Sequence, residues 1–203
     1  MTSITAEKVR NIKQTFFRRM NGITTHSMRE KGVSYKLNWG ISLVDLRQMA
    51  QPYGKDYELA VALWKENIRE CKILAILIMP AEKMESALAD EWITETQEQE
   101  IAEIASLYLY RLLPEARQKA QQWAMSDDKW MPLCGLSVMT RLLMSGWVPD
   151  EHETDTFFAA IRKALHNDHI AIRKAAMTAL NRYADLGKKE EKKVQELLST
   201  DEP

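Results

Sequence analysis

The stretch IRECKILAILIM, residues 68–79, decides the fold, and it ends in seven consecutive apolar residues. A helix that is apolar almost all round is one that other elements cover on more than one side. The apolar run of residues 73–79 is far too short to cross a bilayer. We therefore expect a helix at the centre of a protein core and no membrane partner.

The sequence on either side of this stretch continues the helical pattern. Apolar residues recur at helical spacing before it, at Leu59, Leu63 and Trp64, and after it in a long helix predicted over residues 96–113. Residues suited to capping precede the predicted helices, namely Ser42, Asp56, Thr96, Asp127 and Asp150. The pattern predicts about eleven or twelve helices of roughly 10–18 residues and no strand.

Composition supports an all-α protein. The 203 residues include only 7 Gly and 6 Pro, too few turn formers for many hairpins. Antiparallel helix pairs recur at roughly 35–40 residues, the spacing of HEAT and armadillo units. We therefore predict a HEAT-like α-solenoid of about five or six antiparallel helix pairs, forming a single domain over residues 1–203. A closed helical bundle is the alternative.

The remaining class signals are those of a cytoplasmic protein without cofactor or metal. No apolar stretch followed by a small-residue cleavage site marks a secretory signal, and Cys71 and Cys134 form no CxxC pair. Both are predicted to be reduced core residues. His166 and His169 have ligand-like spacing, but Asn167 and Asp168 break the helix between them and no third ligand is evident. The acidic run at residues 150–155 is predicted to complement a helix N-terminus.

Charge is unevenly distributed along a nearly neutral chain. Residues 1–38 hold eight Lys and Arg against two acids, residues 81–128 hold four against eleven, and residues 161–194 hold nine against four. Such asymmetry is typical of a face that binds a polyanion. Five of the predicted phosphate contacts lie in the last third of the chain, and Lys129 lies before them. The six residues are Lys129, Arg162, Lys163, Arg173, Lys174 and Arg182.

Two of the six tryptophans are candidates for a surface role. Trp39 lies in a predicted loop near Lys36, and Trp130 follows Lys129 at a predicted helix start. Aromatic rings beside cations can stack on bases. Trp64, Trp92 and Trp123 lie on helical stripes and are predicted to belong to the core.

Several segments resemble the AlkD-type DNA alkylation repair family. In the first half they are GVS at 32–34, DLRQMA at 45–50, LW at 63–64 and RECKILA at 69–75. WAMSDDKW, residues 123–130, is similar to the family's central W-x-x-S segment. IRKA at 172–175, with Ala179, Leu180 and Tyr183, resembles its C-terminal helix. The resemblance covers residues 25–185.

The resemblance implies a HEAT-like solenoid that grips duplex DNA in a basic concave groove. Active members are monofunctional glycosylases that remove cationic alkylated purines such as 3-methyladenine or 7-methylguanine. In those members an Asp and two Trp residues line the lesion.

This chain departs from the family pattern at the catalytic positions. The family's W-D-x-x-D segment corresponds to EQEIAEIAS, residues 98–106, which has neither Trp nor Asp. Where the family continues Trp-x-Arg-Arg, this chain has Trp130-Met131-Pro132-Leu133, and an aromatic position falls on Thr178. Glu100 and Glu103 are the carboxylates that remain, and Glu103 is the one catalytic candidate.

These observations predict a DNA-binding member of the superfamily with weak or no glycosylase activity. Duplex DNA is the expected partner, through phosphate contacts from the six cations named above and with Trp130 beside them. The alternative is a protein-interaction solenoid without DNA binding. Convergence of Arg162, Lys163, Arg173, Lys174 and Arg182 on one face would favour DNA.

Overall fold

A computed structural model describes residues 3–33 and 35–200, so Ser34 of the GVS segment lies outside the described residues. Over these ranges the chain forms twelve α-helices and no strand, which confirms the all-α prediction. The helices are α1 Ser3–Arg18, α2 Gly22–Glu30, α3 Leu43–Ala50, α4 Tyr57–Trp64, α5 Arg69–Ile78, α6 Ser86–Thr94, α7 Gln99–Tyr108, α8 Ala116–Ala124, α9 Met131–Met144, α10 Glu151–Leu165, α11 Ile170–Ala184 and α12 Lys188–Thr200.

Several helices are shorter than the sequence pattern predicts, because three short 3-10 turns take up part of the chain. These turns are Gln51–Tyr53, Ala81–Lys83 and Tyr110–Leu112. Pro52 lies in the first turn and Pro80 precedes the second. The single helix predicted over residues 96–113 is wrong. It is replaced by α7 and the third turn, which brings Leu109, Tyr110 and Leu113 all into buried positions.

The first of two compact units comprises Met1–Glu85 and Thr96–Leu109. Helix α5 is its centre and packs against α3, α4 and α7, while α1 packs against α4. Eight of the ten residues of α5 are buried, as expected for a helix covered on more than one side. Two of these eight, Arg69 and Glu70, are charged.

The second unit comprises Ser86–Glu95 and Tyr110–Pro203 and is built around α9. Helix α9 packs against α8 and α11, and α10 and α12 also pack against α11. At Gly135 the backbones of α8 and α9 come so close that an added Cβ would lie 2.5 Å from the carbonyl oxygen of Ala120. Only glycine fits such a close helix crossing. The single domain over residues 1–203 stays a prediction.

Local capping follows the sequence at some helix starts and not at others. The side chains of Ser42 and Asp56 cap α3 and α4. Asp150 and Glu153 form a capping box at α10, so the acidic run does complement a helix N-terminus. Thr96 and Asp127 do not cap, because α7 and α9 begin only after Glu98 and Trp130.

Two class predictions can be compared with the structure. No helix within the described residues is long and apolar enough to cross a membrane. Cys71 and Cys134 are buried in the core, as predicted, and no disulfide joins them. Burial raises the pKa of the Cys71 thiol to about 12, which keeps that thiol protonated and unreactive.

Candidate nucleic-acid interface

Two of the predicted phosphate contacts are available to a ligand. Arg162 on α10 and Lys174 on α11 are both exposed. Neither side chain forms an ion pair within the part of the chain that the structure describes. Helices α10 and α11 pack against each other in the second unit.

Lys163, next to Arg162, is engaged by the protein itself. Its Nζ donates to the carbonyl oxygen of Met125 at 2.7 Å and lies 2.7 Å from a carboxylate oxygen of Asp127. Met125 is the C-terminal cap residue of α8. A cation at this position satisfies a helix-terminal carbonyl and complements the negative end of the helix dipole.

Arg173 and Arg182 on α11 are also engaged. One Nη of Arg173 donates to the carbonyl oxygens of Asn167 and Asp168, at 2.6 and 2.9 Å, in the connection between α10 and α11. Arg182 forms an exposed ion pair with Asp185 at 2.9 Å. Arg173 therefore stabilises a loop, whereas Arg182 has a weak partner that a phosphate can replace.

The three cations of α11 do not share one side of that helix. Nine residues separate Arg173 from Arg182, which is about two and a half turns and places them on opposite sides. Lys174 and Arg182 are eight residues apart and lie on one stripe with the exposed Thr178. On α11, therefore, Lys174 and Arg182 can face one ligand together and Arg173 cannot join them.

The surface position predicted for Trp130 is wrong. Its side chain is 3% exposed and packs edge-on against His169, with ring centroids 4.9 Å apart. Lys129 is exposed and lies over the same indole, 4.8 Å from the ring centroid. A buried ring cannot stack on a base, so Trp130 can act only by positioning Lys129 and His169.

The two carboxylates considered for catalysis differ in their surroundings. Glu103 is exposed and accepts a hydrogen bond from Gln99 at 2.7 Å. Glu100 forms a two-point contact with Arg69, at 2.8 and 2.7 Å, and accepts from the Tyr35 hydroxyl at 2.9 Å. Burial by itself raises the pKa of Glu100, but the Arg69 and Tyr35 interactions lower it overall. Glu100 is thus held ionised in a structural pair.

This pair belongs to a buried network that the sequence analysis missed. Arg69 is 3% exposed, and its Nη1 also donates to a carboxylate oxygen of Glu70 and to the carbonyl oxygen of Ile41. Glu70, which is fully buried, accepts from the backbone amides of Trp39 and Ile41. The network attaches the loop of residues 35–41 to α5 and α7. Two charged residues inside an apolar stretch were the available signal, because buried charges are almost always paired.

A partly buried ion pair lies in the second unit. Lys119 on α8 is 6% exposed and donates to Asp90 on α6 at 2.7 Å, and the indole Nε1 of Trp123 donates to the same carboxylate at 2.6 Å. Both oxygens of Asp90 are therefore occupied by the protein. Asp90 and Trp123 bring a carboxylate and an indole together, but in a structural contact.

No group of three His, Cys, Asp or Glu residues that could hold a metal ion occurs among the described residues. His166 and His169 have different structural roles. His166 is the C-terminal cap residue of α10, and His169 is the N-terminal cap residue of α11. The Nδ1 atom of His169 accepts from the amide of Ala171 at 3.2 Å.

The all-helical architecture places this chain in a known structural class. The fold is that of the HEAT-like repeat proteins, all-α and built from successive helix pairs, and it matches a solved structure described as "A new family of proteins related to the HEAT-like repeat DNA glycosylases with affinity for branched DNA structures". The TM-score is 0.79, the identity 16%, and the match covers 93% of this chain and 80% of the other.

The family follows from a second comparison. The family model described as DNA alkylation repair enzyme matches residues 12–202, and the chain belongs to that family. The resemblance that the sequence motifs indicated is thereby confirmed. No curated protein is significantly similar to this chain in sequence.

Proposed function

We propose that this protein binds DNA through phosphate contacts and has weak or no glycosylase activity. The observation that carries the binding proposal is that Arg162 and Lys174 are exposed and have no ionic partner among the described residues. The chain also belongs to the DNA alkylation repair family. Contacts to phosphate do not read sequence, so binding is expected on all sequences alike.

The number of exposed cations determines how strong this binding is expected to be. Arg162, Lys174 and Lys129 are exposed, and Arg182 needs only to exchange one exposed partner. Each phosphate contact contributes about 0.9 to the slope of the logarithm of the binding constant against the logarithm of salt. Binding by so few contacts is weak at physiological salt and fades as salt rises. The structural relative's affinity for branched DNA makes a four-way junction the second probe beside a duplex.

The binding experiment replaces the exposed Arg162 and Lys174 together. We expect Arg162→Glu with Lys174→Glu to weaken binding to duplex and junction DNA of any sequence. The salt slope should fall by about two, because two phosphate contacts are lost. Fluorescence anisotropy over a salt series measures both quantities.

Arg173→Glu is unsuitable as the binding variant because Arg173 holds two loop carbonyls. The control for a general charge effect is Lys83→Glu with Arg117→Glu, two exposed cations in the acidic middle of the chain. An equal loss in the control, or none in the test variant, would remove Arg162 and Lys174 from the interface.

The proposal of weak or absent catalysis rests on the surroundings of the carboxylates. Loss of a cationic base leaves positive charge on the sugar, and a preorganised anion in a water-excluded site stabilises it. Glu100 is paired with Arg69, Asp90 is occupied by Lys119 and Trp123, and Glu103 is exposed to solvent. Thr178, at the family's aromatic position, is exposed and its hydroxyl bonds back to the carbonyl of Lys174.

Base release tests this part. The parent protein is expected to release neither 3-methyladenine nor 7-methylguanine from alkylated DNA above the spontaneous rate, measured by chromatography of the freed bases. Rapid release by the parent that Glu103→Gln abolishes would show that the catalytic carboxylate has moved to Glu103.

The protein-interaction scaffold is favoured by one specific observation. Three of the five predicted cations of α10 and α11, Lys163, Arg173 and Arg182, already contact oxygens of the protein. A parent protein that binds neither duplex nor junction DNA at low salt would leave this second function as the better one.

A further inference from the structure

Helix α2 is the one α-helix in the described part of the chain that buries no side chain. A nine-residue helix without a buried face gains little stability from packing and is marginal by itself. It is held instead by its N-terminal cap and by contacts with the loop of residues 35–41. The Asn21 side chain caps it, and the backbone N–H of Asn21 donates to the carbonyl oxygen of Trp39 at 2.8 Å.

The attachment of α2 is tight. Gly40 has φ of +71°, and an added Cβ would lie 2.3 Å from the carbonyl oxygen of Asn21. Only glycine allows this approach of the loop to the first turn of α2. Through Trp39 and Glu70 the same loop is attached to α5. The chain therefore keeps α2 in place while leaving Ile23, His26 and Arg29 exposed.

The surface around α1 and α2 carries uncompensated positive charge. Six exposed cations have no ion pair in the part of the chain that the structure describes: Arg10, Arg18, Arg19, Arg29, Lys31 and Lys36. The acids of residues 3–36 are Glu7 and Glu30, and Glu30 lies beside His26. By contrast, Lys8 and Lys13 each pair with an acid of the first unit at 2.8 Å. Such a surface attracts a polyanion.

The same surface exposes large apolar side chains. Ile23 is 85% exposed and Phe17 63%. The Phe17 ring stands edge-on to Trp39, with ring centroids 5.8 Å apart, and lines an open groove beside Arg10 and Lys13. Aromatic rings beside cations are what proteins use to hold single strands, because a base stacks on the ring while its phosphate meets the cation.

We propose that α1, α2 and the exposed cations of residues 31–36 form a second DNA-binding surface, the α1–α2 surface, that takes a strand with unpaired bases. The arginines contact phosphates and Phe17 stacks on a base. An intact duplex keeps its bases inside the stack and cannot use Phe17. The favoured ligand is thus DNA with single-stranded character, as at a gap or a branch point. This inference rests on the proposed DNA binding and adds the kind of DNA.

The first test reverses charge on the α1–α2 surface. Arg18→Glu with Arg19→Glu is compared with the parent on a fluorescent duplex that contains a short single-stranded gap. At 0.1 M salt we expect binding weaker by about tenfold or more, and a salt slope lower by about two. The matched control, Lys83→Glu with Arg117→Glu, changes net charge equally and should bind like the parent. All four positions are exposed, and unchanged circular dichroism verifies the fold.

The second test concerns the aromatic ring. Phe17→Ala should weaken binding to gapped DNA by about 5- to 150-fold, the value of one stacked base, and leave binding to the intact duplex unchanged. Val44→Ala removes a 64% exposed apolar side chain of α3, outside the α1–α2 surface, and should bind both DNAs like the parent.

The outcomes separate this inference from the function on which it rests. A parent that binds neither DNA contradicts DNA binding as a whole. A parent that binds, with an unaffected Arg18 and Arg19 variant, overturns the α1–α2 surface alone. Equal losses on gapped and intact DNA from Phe17→Ala overturn the stacking role. Displacement of gapped DNA by poly-L-glutamate as readily as by single-stranded DNA would identify an acidic polypeptide as the ligand instead.

Discussion

The arginines of α1 and α2 are exposed and have no ionic partner among the described residues, whereas on α10 and α11 Lys163, Arg173 and Arg182 each contact an oxygen of the protein. Both segments are basic by similar amounts in the sequence. Beside the first, Arg69 and Glu70 of α5 hold the adjoining loop of residues 35–41, and the surface arginines of α1 and α2 are not used for this. In the second, the surface cations Lys163 and Arg173 themselves stabilise a helix end and a loop. Net charge therefore overstates what the second segment can offer a ligand.

The largest effect that can break this comparison is loss of Arg69. Arg69→Met leaves the fully buried Glu70 without its cation, and breaking a buried pair in this way destabilises by about 3–5 kcal/mol. Urea denaturation measures the free energy of unfolding. Lys13→Met, which breaks a partly exposed pair with Glu66, is the control and should lose about 1 kcal/mol or less. Similar losses in both variants would deny the buried network its supporting role.

The pH dependence of stability tests the same buried network through Glu100. Because its folded-state pKa is lowered, Glu100 contributes stability that is fully present above its ordinary pKa of 4.5 and is lost as the pH falls through the lowered value. Glu100→Gln should therefore lose about 1.5–3 kcal/mol at pH 7, and parent and variant should converge as the pH falls well below 4.5.

Denaturation at a series of pH values from 7 downward checks this expectation. Glu103→Gln on the exposed side of α7 is the matched substitution and should change stability little at pH 7. A constant difference between the parent and Glu100→Gln at every pH would show that the charge of Glu100 does not matter.

A smaller effect separates the surface cations of the two regions. Arg173→Ala removes the donor to the carbonyls of Asn167 and Asp168 and should destabilise by about 1–2 kcal/mol. Arg18→Ala removes an exposed side chain without an ionic partner among the described residues and should stay within about 0.5 kcal/mol of the parent. Thermal unfolding of the two variants side by side measures whether Arg173 stabilises the fold more than Arg18 does.

The smallest expected change concerns Arg182. Its ion pair with Asp185 is exposed on both sides, so Arg182→Ala should lose only about 0.2–1 kcal/mol. A loss as large as that of Arg173→Ala would mean that Arg182 is held as firmly as Arg173, and that it is equally unavailable to phosphate. Chemical denaturation of both variants provides the comparison.

Much of the fold could be predicted because helix formation depends on local signals. The scarcity of glycine and proline, the apolar stripes and the capping residues Ser42, Asp56 and Asp150 all act within a few residues of one another. Helix bounds were less predictable. The break at Leu109 follows from the burial of Leu109, Tyr110 and Leu113 in the folded chain, which no local pattern expresses.

The residue types of the candidate site could be predicted from the sequence, but the exposure of each side chain could not. Residue types and spacing pointed to Arg162 and Lys174, and both are exposed. The same reasoning placed Trp130 at the surface, where it is not, because an indole beside a lysine reads alike whether it faces solvent or packs against His169. For residues 1–38 it gave only a net charge, and not which cations pair with an acid, as Lys8 and Lys13 do.

The sequence by itself determined the helical class, the family resemblance and the two basic segments, since each depends on residue identity or on spacing of a few positions. Only the tertiary structure decided which charges are neutralised. Arg69 and Glu100 are 31 residues apart in the chain and Lys163 and Met125 are 38 apart. Such pairs form when helices distant in sequence pack together. A charge acts on a ligand only if folding leaves it without a nearer partner.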